Sequence, residues 1–369
     1  MAAFKTIVKD RVFQIAAIIA VISLFFARPK MADISFTTLW SLIGMMTVLQ
    51  IFEHLHVLDF LAYRMTTGAN NARQLTGFFV VLSFFAAMFL TNDMAVLTFM
   101  PLYLRIARKL KLPEVVPATA IAIAANTGSY MTPFGNTHNI FLMATFHIPL
   151  IDFMKWVIPL FIVCALFLAG MLWFVKPIPV PRVPAEDLRI NTRLTGFTTV
   201  IALIVFASVL DFIPAWVAAI IAIAYSLLVD YKILENVDYA IVFTFAAFFI
   251  IVSDIKQVPA VSNLLHTIIH GPTSVYLTSI ATSQFISNVP ATVLVSQFTH
   301  HLAALFYGSN IGGLGTMVAS MCNLLAFKQF GTYASHEKRH KFFVPFLVLN
   351  FIGLIIIGGL CYFAVLYFD

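Results

Sequence analysis

The chain reads as a succession of apolar runs separated by polar breaks, and two kinds of break stand out. The first is Thr91-Asn92-Asp93, set between the uncharged runs Leu75–Leu90 and Met94–Leu104. A bilayer core takes about 20 helical residues to cross, and neither run is long enough. Arg73 precedes the pair, and Arg105, Arg108, Lys109 and Lys111 follow it. Basic residues favour the cytoplasmic side, so both ends belong on one face, with the triplet at the tip of a re-entrant hairpin, 73–104. The second kind of break is Asn126–Asn136, inside Val115–Phe146. Its Gly128, Pro133 and Gly135 predict an interrupted membrane helix, 115–146, with half-helix termini at mid-depth.

The remaining runs fill out a repeat. Val12–Ala27, Phe36–Phe52 and Phe153–Val175 are spans, and the mixed stretch His54–Tyr63 suits an interfacial helix. Lys176–Arg193, with Pro177, Pro179, Pro181 and Pro184 beside Glu186 and Asp187, predicts a semi-rigid linker, and Leu194–Leu210 a single connecting span. From Pro214 the pattern recurs. Pro214–Val229 and Tyr239–Val252 are spans, and Lys256–His270 is a second interfacial stretch. Pro272–Ile286 enters the membrane, Ser287-Asn288-Val289-Pro290 turns, and Ala291–Phe306 leaves, a second hairpin over 272–306. Ser309–Thr316 then interrupts a span ending near Phe327 (309–327), and Phe342–Phe368 closes the chain. The expected architecture is an all-α polytopic membrane protein of about 11 transmembrane segments. Residues 1–175 form one repeat, 176–213 a linker with its connecting helix, and 214–369 the second repeat.

Composition agrees with a membrane protein: 61% of residues are hydrophobic and 10% charged, against about 25% charged in soluble chains. The net charge of +6 marks loops rather than a nucleic-acid face, because the basic residues lie between apolar runs. With the N-terminus cytoplasmic, 18 of the 22 Lys and Arg residues fall in cytoplasmic loops; Arg28, Lys30, Lys155 and Lys256 do not. That topology opens the two hairpins from opposite faces, makes the repeats inverted, and leaves the C-terminus outside. The first apolar stretch lacks a small-residue cleavage site and is expected to be retained. Cys164, Cys322 and Cys361 are scattered through apolar runs and suggest neither a metal site nor a disulfide framework. Gly312-Gly313-Leu314-Gly315 lacks the strand that a nucleotide-binding loop needs, so no cofactor and no ATP-driven step is expected, and no enzyme activity.

Two tips and two broken helices brought together at the midplane would make a binding site. Half-helix N-termini suit an anion, and C-terminal carbonyls suit Na⁺. Small residues such as Ser129, Thr132, Gly135, Gly312, Gly313 and Thr316 let a ligand approach the backbone, or merely let helices pack closely. Asp93, a carboxylate deep in an apolar stretch, costs about 2.5–3.5 kcal/mol to insert. It could coordinate a cation, carry a proton or cap the second arm. Its counterpart is Val289. His138 could titrate near neutral pH, but a structural hydrogen bond is the simpler role. No Lys or Arg is expected at the midplane.

Thr91-Asn92-Asp93-Met94-Ala95-Val96-Leu97 with Pro101 resembles the first hairpin of the ion transporter superfamily, which includes arsenite permeases, citrate and dicarboxylate carriers and some sodium/proton antiporters. Asn126–Asn136 is similar to its first broken helix, Ser283–Ala291 to its second hairpin and Asn310–Gly315 to its second broken helix. The tips look nearer the arsenite-permease branch, since neither keeps the threonine of the Ser-Asn-Thr tips of dicarboxylate carriers. The resemblance implies a homodimer in the inner membrane, with a scaffold, a moving transport domain and elevator-type alternation. It implies one cation site at Asn92 and Asn126, with Thr91, Gly128 and Asn136 beside them, and another at Asn288, Asn310 and Gly312. The substrate would lie between the tips, against Asn92, Asp93, Thr132, Pro133, Ser287, Asn288, Pro290 and Thr316. The function expected is secondary active transport of a small inorganic or organic anion, coupled to Na⁺ or H⁺. The alternatives are an arsenite or antimonite efflux permease and a Na⁺/H⁺ antiporter.

Overall fold

A computed structural model describes residues 7, 8, 10–66, 68–180 and 190–369, without the side chains of 62–66 and 339. Lys5, Lys9 and the 181–189 part of the linker lie outside the described residues. Those residues form eighteen α-helices and no strands. Six helices are long and apolar enough to cross a bilayer: α2 (Phe36–His54), α4 (Ala72–Leu90), α8 (Leu150–Trp173), α9 (Thr192–Val209), α12 (Tyr239–Gln257) and α18 (Phe343–Phe368). Shorter apolar helices are α1 (Arg11–Ser23), α6 (Val115–Ser129), α10 (Ala215–Val229) and α16 (Leu302–Ile311). The interfacial stretches form α3 (Val57–Thr66) and α13 (Pro259–Ile268), and a short α11 (Lys232–Asn236) joins α10 to α12.

Helix starts follow local chemistry. Asp10, Ser35, Asn71, Asn191, Asp238 and Ser320 each accept a first-turn backbone N–H through the side chain. Such caps satisfy donors that a helix leaves orphaned. Arg73, at the entrance of the first hairpin, donates to the carbonyls of Trp173 and Val175 and closes the C-terminal end of α8.

Both hairpins turn at one residue in a backbone region that L-residues rarely occupy. Thr91, between α4 and α5 (Asn92–Leu110), has φ 73°, ψ 153°. Ser287, between α14 (Pro272–Ile286) and α15 (Asn288–Ser296), has φ 75°, ψ 151°. This conformation costs on the order of 1–3 kcal/mol and persists only where surrounding structure enforces it. Its occurrence at matched positions ties the two halves together more firmly than sequence does.

The broken helices are α6 followed by α7 (Thr137–Phe146), and α16 followed by α17 (Met321–Tyr333). The second differs from expectation. Ala291–Phe306 is not one return arm: α15 stops at Ser296, and the polar stretch Thr299-His300-His301 precedes α16. The second hairpin therefore ends before 306, and its broken helix begins at Leu302 instead of 309 and runs to Tyr333 rather than 327. Nine residues make about 14 Å of helix, so α15 reaches partway through a bilayer core.

Packing repeats between halves. Each hairpin's first arm lies on the first part of its own broken helix, α4 on α6 and α14 on α16. Each second arm lies on the last part of the other half's broken helix, α5 on α17 and α15 on α7. The halves are interlocked through their centres. Buried Glu114 adds a tie at the periphery, accepting from Ser335 N and Oγ and from Lys338 Nζ.

Candidate functional site

A chain of side-chain amides fills the centre. Asn92 Nδ2 donates to Asn126 Oδ1 at 3.0 Å, and Asn126 Nδ2 donates to Asn323 Oδ1 at 2.9 Å. Asn323 Nδ2 then donates to the carbonyls of Gly313 and Thr316, at 3.0 and 2.9 Å. Every acceptor is satisfied by the next donor, an arrangement in which hydrogen bonds polarise one another. The second half repeats it in reverse. Asn310 Nδ2 donates to Asn139 Oδ1 at 3.0 Å, and Asn139 Nδ2 reaches the carbonyls of Ser129 and Thr132. Asn126 and Asn139 are spaced along the chain as Asn310 and Asn323 are, so each half lends one asparagine to the other.

The tips diverge. Asn92 is engaged in this chain and also donates to Ser320 Oγ at 3.4 Å. The matching bond from Asn288 to Asn310 is missing, because Asn310 Oδ1 faces His138 Nε2 at 3.0 Å. Since Asn310 Nδ2 is committed to donating, His138 donates from Nε2, which leaves its Nδ1 without a partner. Asn288 Nδ2 is likewise unpartnered, in a residue only 2% exposed, and so is the hydroxyl of fully buried Tyr130. Both converge on one spot: a Cβ on Gly313 would lie 3.0 Å from Asn288 Nδ2 and 3.5 Å from Tyr130 Oη. In the first half the position of Gly313 is held by Ser129, whose hydroxyl donates to Asn126 O and accepts from Asn136 Nδ2.

The remaining predicted residues fall as follows. Thr91 and Asn92 are buried at the first tip; Asn288 is buried and Ser287 half-buried at the second. Asn92 Nδ2 reaches Ser320, and the Asn288 N–H donates to the carbonyl of neighbouring Ala319, so both tips meet the same segment. The Asp93 N–H is capped by Asn92 Oδ1, while Asp93 Oδ1 is buried and has no partner. Thr132 and Thr316 play one role, donating to the carbonyls of Met88 and Gln284 on the first arms of their hairpins. Gly128 packs directly on the Phe84 backbone, where any Cβ would clash with the Phe84 carbonyl. The Gly312 carbonyl accepts from Gln284 Nε2 at 3.0 Å. Pro133 and Pro290 are buried; Pro133 follows Thr132 in the first break, and Pro290 sits in the first turn of α15.

Asn323, Gln284, Tyr130 and Asn139 join the site without having been expected there from the sequence. The equal spacing of the asparagine pairs is a usable signal for Asn139 and Asn323. Among the described residues, no Lys or Arg side chain is bonded to any of these groups, and no His, Cys, Asp or Glu cluster could hold a metal ion. The centre therefore offers neutral donors, carbonyl oxygens and the Asp93 carboxylate, which feels the charge of Asp238 at the start of α12.

Comparison with known proteins agrees with this architecture. Residues 6–306 match the family model described as citrate transporter, CitMHS. Inner membrane protein YbiR of Escherichia coli K12 is 28% identical over 356 residues, 93% of this chain and 94% of that protein. Uncharacterized transporter MJ0456 of Methanocaldococcus jannaschii is 27% identical over 306 residues, 80% of this chain and 81% of that one. In fold, the chain is similar to the YdaH transporter of Alcanivorax borkumensis, whose crystal structure has an unusual topology. The TM-score is 0.51 at 12% identity, over 89% of this chain and 86% of that one.

Proposed function

The chain belongs to the citrate transporter family, and from that premise we propose that it is a secondary active transporter of a small inorganic or organic anion, driven by Na⁺ or H⁺. The observation that carries this reading is the pair of unpartnered groups, Asn288 Nδ2 and Tyr130 Oη, facing the space beside Gly313. An amide donor and a hydroxyl without partners inside a membrane protein are costly, about 1–3 kcal/mol for each group left unpaired. An oxygen of a bound anion satisfies both. With no Lys or Arg among the described residues bonded at the centre, such an anion is held by neutral donors, and compensation of its charge falls to a co-bound cation or proton.

Asp93 supplies the place for that charge. Its Oδ1 is buried and unpartnered, and it sits one residue from Asn92 at the head of the amide chain. A Na⁺ ion takes oxygen ligands, and the first half offers the Asp93 carboxylate and the carbonyls of the first break; a proton on Asp93 does the same electrostatic work. We place the substrate between the tips and the coupling cation beside Asp93. The repeats are inverted in this reading, the N-terminus cytoplasmic and the inner membrane the location. The hairpins and broken helices move as one body against α2, α9 and α10, in a homodimer. Asp93 also suits proton-linked efflux of neutral arsenous or antimonous acid, the second reading that a specific residue favours.

Uptake by proteoliposomes under imposed Na⁺, H⁺ and electrical gradients tests the proposal, with citrate, succinate, sulfate and arsenite as substrates. Concentrative uptake of one of the three anions under a cation gradient is expected. Movement of arsenite alone favours the second reading, and proton-for-Na⁺ exchange with no substrate moved would establish an antiporter instead.

A further inference from the structure

The second half treats its broken-helix carbonyls differently from the first. Gln284, three residues before the Ser287 tip, lays its carboxamide across the break. Its Nε2 donates to Gly312 O and Leu314 O, each at 3.0 Å, and also meets Ile280 O at 3.2 Å. Its Oε1 accepts from Thr316 N at 2.9 Å, and its own backbone carbonyl accepts from Thr316 Oγ1. Gly315, at φ +103°, lets the loop close over the amide: a Cβ there would collide with Gln284 Oε1. Thus an N–H₂ group bridges carbonyl oxygens at the end of α16, the negative end of that helix.

In the first half the same place is held by Met88, three residues before Thr91, and its carbonyl accepts from Thr132 Oγ1 as Gln284's does from Thr316. A thioether has no N–H to donate. The first half instead carries Asp93, whose second-half counterpart is Val289. Among the described residues, one half thus has a carboxylate at its tip and no hairpin side chain donating to the backbone carbonyls of its break; the other has that donor and no carboxylate at its tip.

Resting on the transporter reading above, we propose that the two halves are not two cation sites. The coupling cation is confined to the first half, and in the second the Gln284 carboxamide permanently holds the carbonyl oxygens that a cation would otherwise bridge. The amide is neutral and cannot leave, so the second half presents the same electrostatics in every stage of transport. Its tip is therefore free to serve the substrate through Asn288, while the first tip serves the ion.

Equilibrium binding of radiolabelled Na⁺ to the purified full chain in lipid nanodiscs tests this without any substrate. Wild type is expected to bind at most one Na⁺ per chain. Gln284→Glu replaces the donor by a carboxylate against Gly312 O and Leu314 O, an all-oxygen cage of the kind hard cations prefer. It should bind one equivalent more than wild type, and keep that added equivalent when Asp93→Asn is introduced beside it. Two or more equivalents in wild type overturn the proposal, as does a folded Gln284→Glu chain with no gain. Should Gln284→Glu fail to fold, Gln284→Met installs the first-half residue. Its unfolding midpoint should rise with NaCl relative to choline chloride by more than that of wild type, and an unchanged salt response would overturn the proposal. A chain that transports none of the tested anions fails the transporter reading, while the Na⁺ count still decides this one.

Discussion

The two halves of this transporter share a frame and differ in chemistry. Thr91 and Ser287 turn the tips with nearly the same φ and ψ. Thr132 and Thr316 tie each break to its hairpin, and asparagines are exchanged across the centre in matching pairs. Yet Asp93 is matched by Val289, Met88 by Gln284, Ser129 by Gly313 and His138 by Cys322. The tip turns, the threonine ties and the exchanged asparagines are duplicated; Asp93 and Gln284 are not. Duplication of a fold therefore does not duplicate every polar side chain at its centre.

The comparison can be broken or sharpened by substitution. The largest effects should be equal in the two halves. Asn126→Ala strips partners from Asn92 and Asn323, and Asn310→Ala strips them from His138 and Asn139. Each buried group left unpaired costs about 1–3 kcal/mol. Both variants should lower the thermal unfolding midpoint in detergent by a similar margin, and a large inequality would show that the frame is not shared.

Glycine substitutions come next and should separate close packing from ligand binding. Gly128→Ala drives a methyl into the Phe84 backbone, which cannot yield as a side chain can, for about 1–3 kcal/mol or more. Gly313→Ala meets Asn288 Nδ2 at 3.0 Å and Asn310 O at 3.2 Å. It should fold almost normally and lose ligand-induced thermal stabilisation, because the methyl takes the place of the ligand oxygen.

Smaller still is the contrast between the tip amides. Asn288→Ala removes a group with no protein partner, so it should leave the unfolding midpoint almost unchanged and weaken anion binding by about 1 kcal/mol, roughly five-fold. Asn92→Ala should do the reverse and cost stability first. Titration calorimetry beside thermal unfolding reads both.

The smallest effect lies at the connection between α1 and α2, where Asp33 meets Lys256. Burial pushes the Asp33 carboxyl upward, but the Ser253 hydroxyl and the Lys256 ammonium outweigh it and hold it below the usual carboxylate value of 3.8. A group lowered on folding adds stability above its unfolded pKa, and that contribution is lost as pH falls through the folded pKa. Lys256 donates to Asp33 at 2.9 Å and to Gln297 at 3.1 Å, yet is partly solvated, so the term is under about 1 kcal/mol. Lys256→Ala should lower the midpoint slightly at pH 7 and by less at pH 3.

Much of this frame is legible in the amino-acid sequence. Asn92, Asn126, Asn288 and Asn310 betray themselves as polar residues inside apolar runs, where an amide is expensive without a purpose. Run length is a poorer guide to the hairpins. The uncharged run Leu75–Leu90 looks too short to cross, but the helix begins at Ala72 and is long enough to do so, and it is the polar tip that marks the turn. Gln284 is not legible as a site residue, because nothing in Ser283-Gln284-Phe285 says that the side chain will reach the carbonyls of another helix. Tyr130 is hidden for the same reason, as one aromatic among many in a membrane sequence. The early end of α15 escapes hydropathy because Thr299-His300-His301 is brief and flanked by apolar residues, which carries the expected arm through to Phe306. Burial and run length are local properties; which donor meets which acceptor depends on how helices cross.

Division of labour between the halves is tested most directly by counterflow and gradient-driven uptake in proteoliposomes containing Asp93→Asn. With the anion identified from the wild-type panel, the variant should still exchange labelled for unlabelled anion, since Asn288 and Tyr130 are intact, but should not concentrate it under an imposed Na⁺ or H⁺ gradient. Concentrative uptake by Asp93→Asn with the wild-type dependence on pH and Na⁺ would contradict the account.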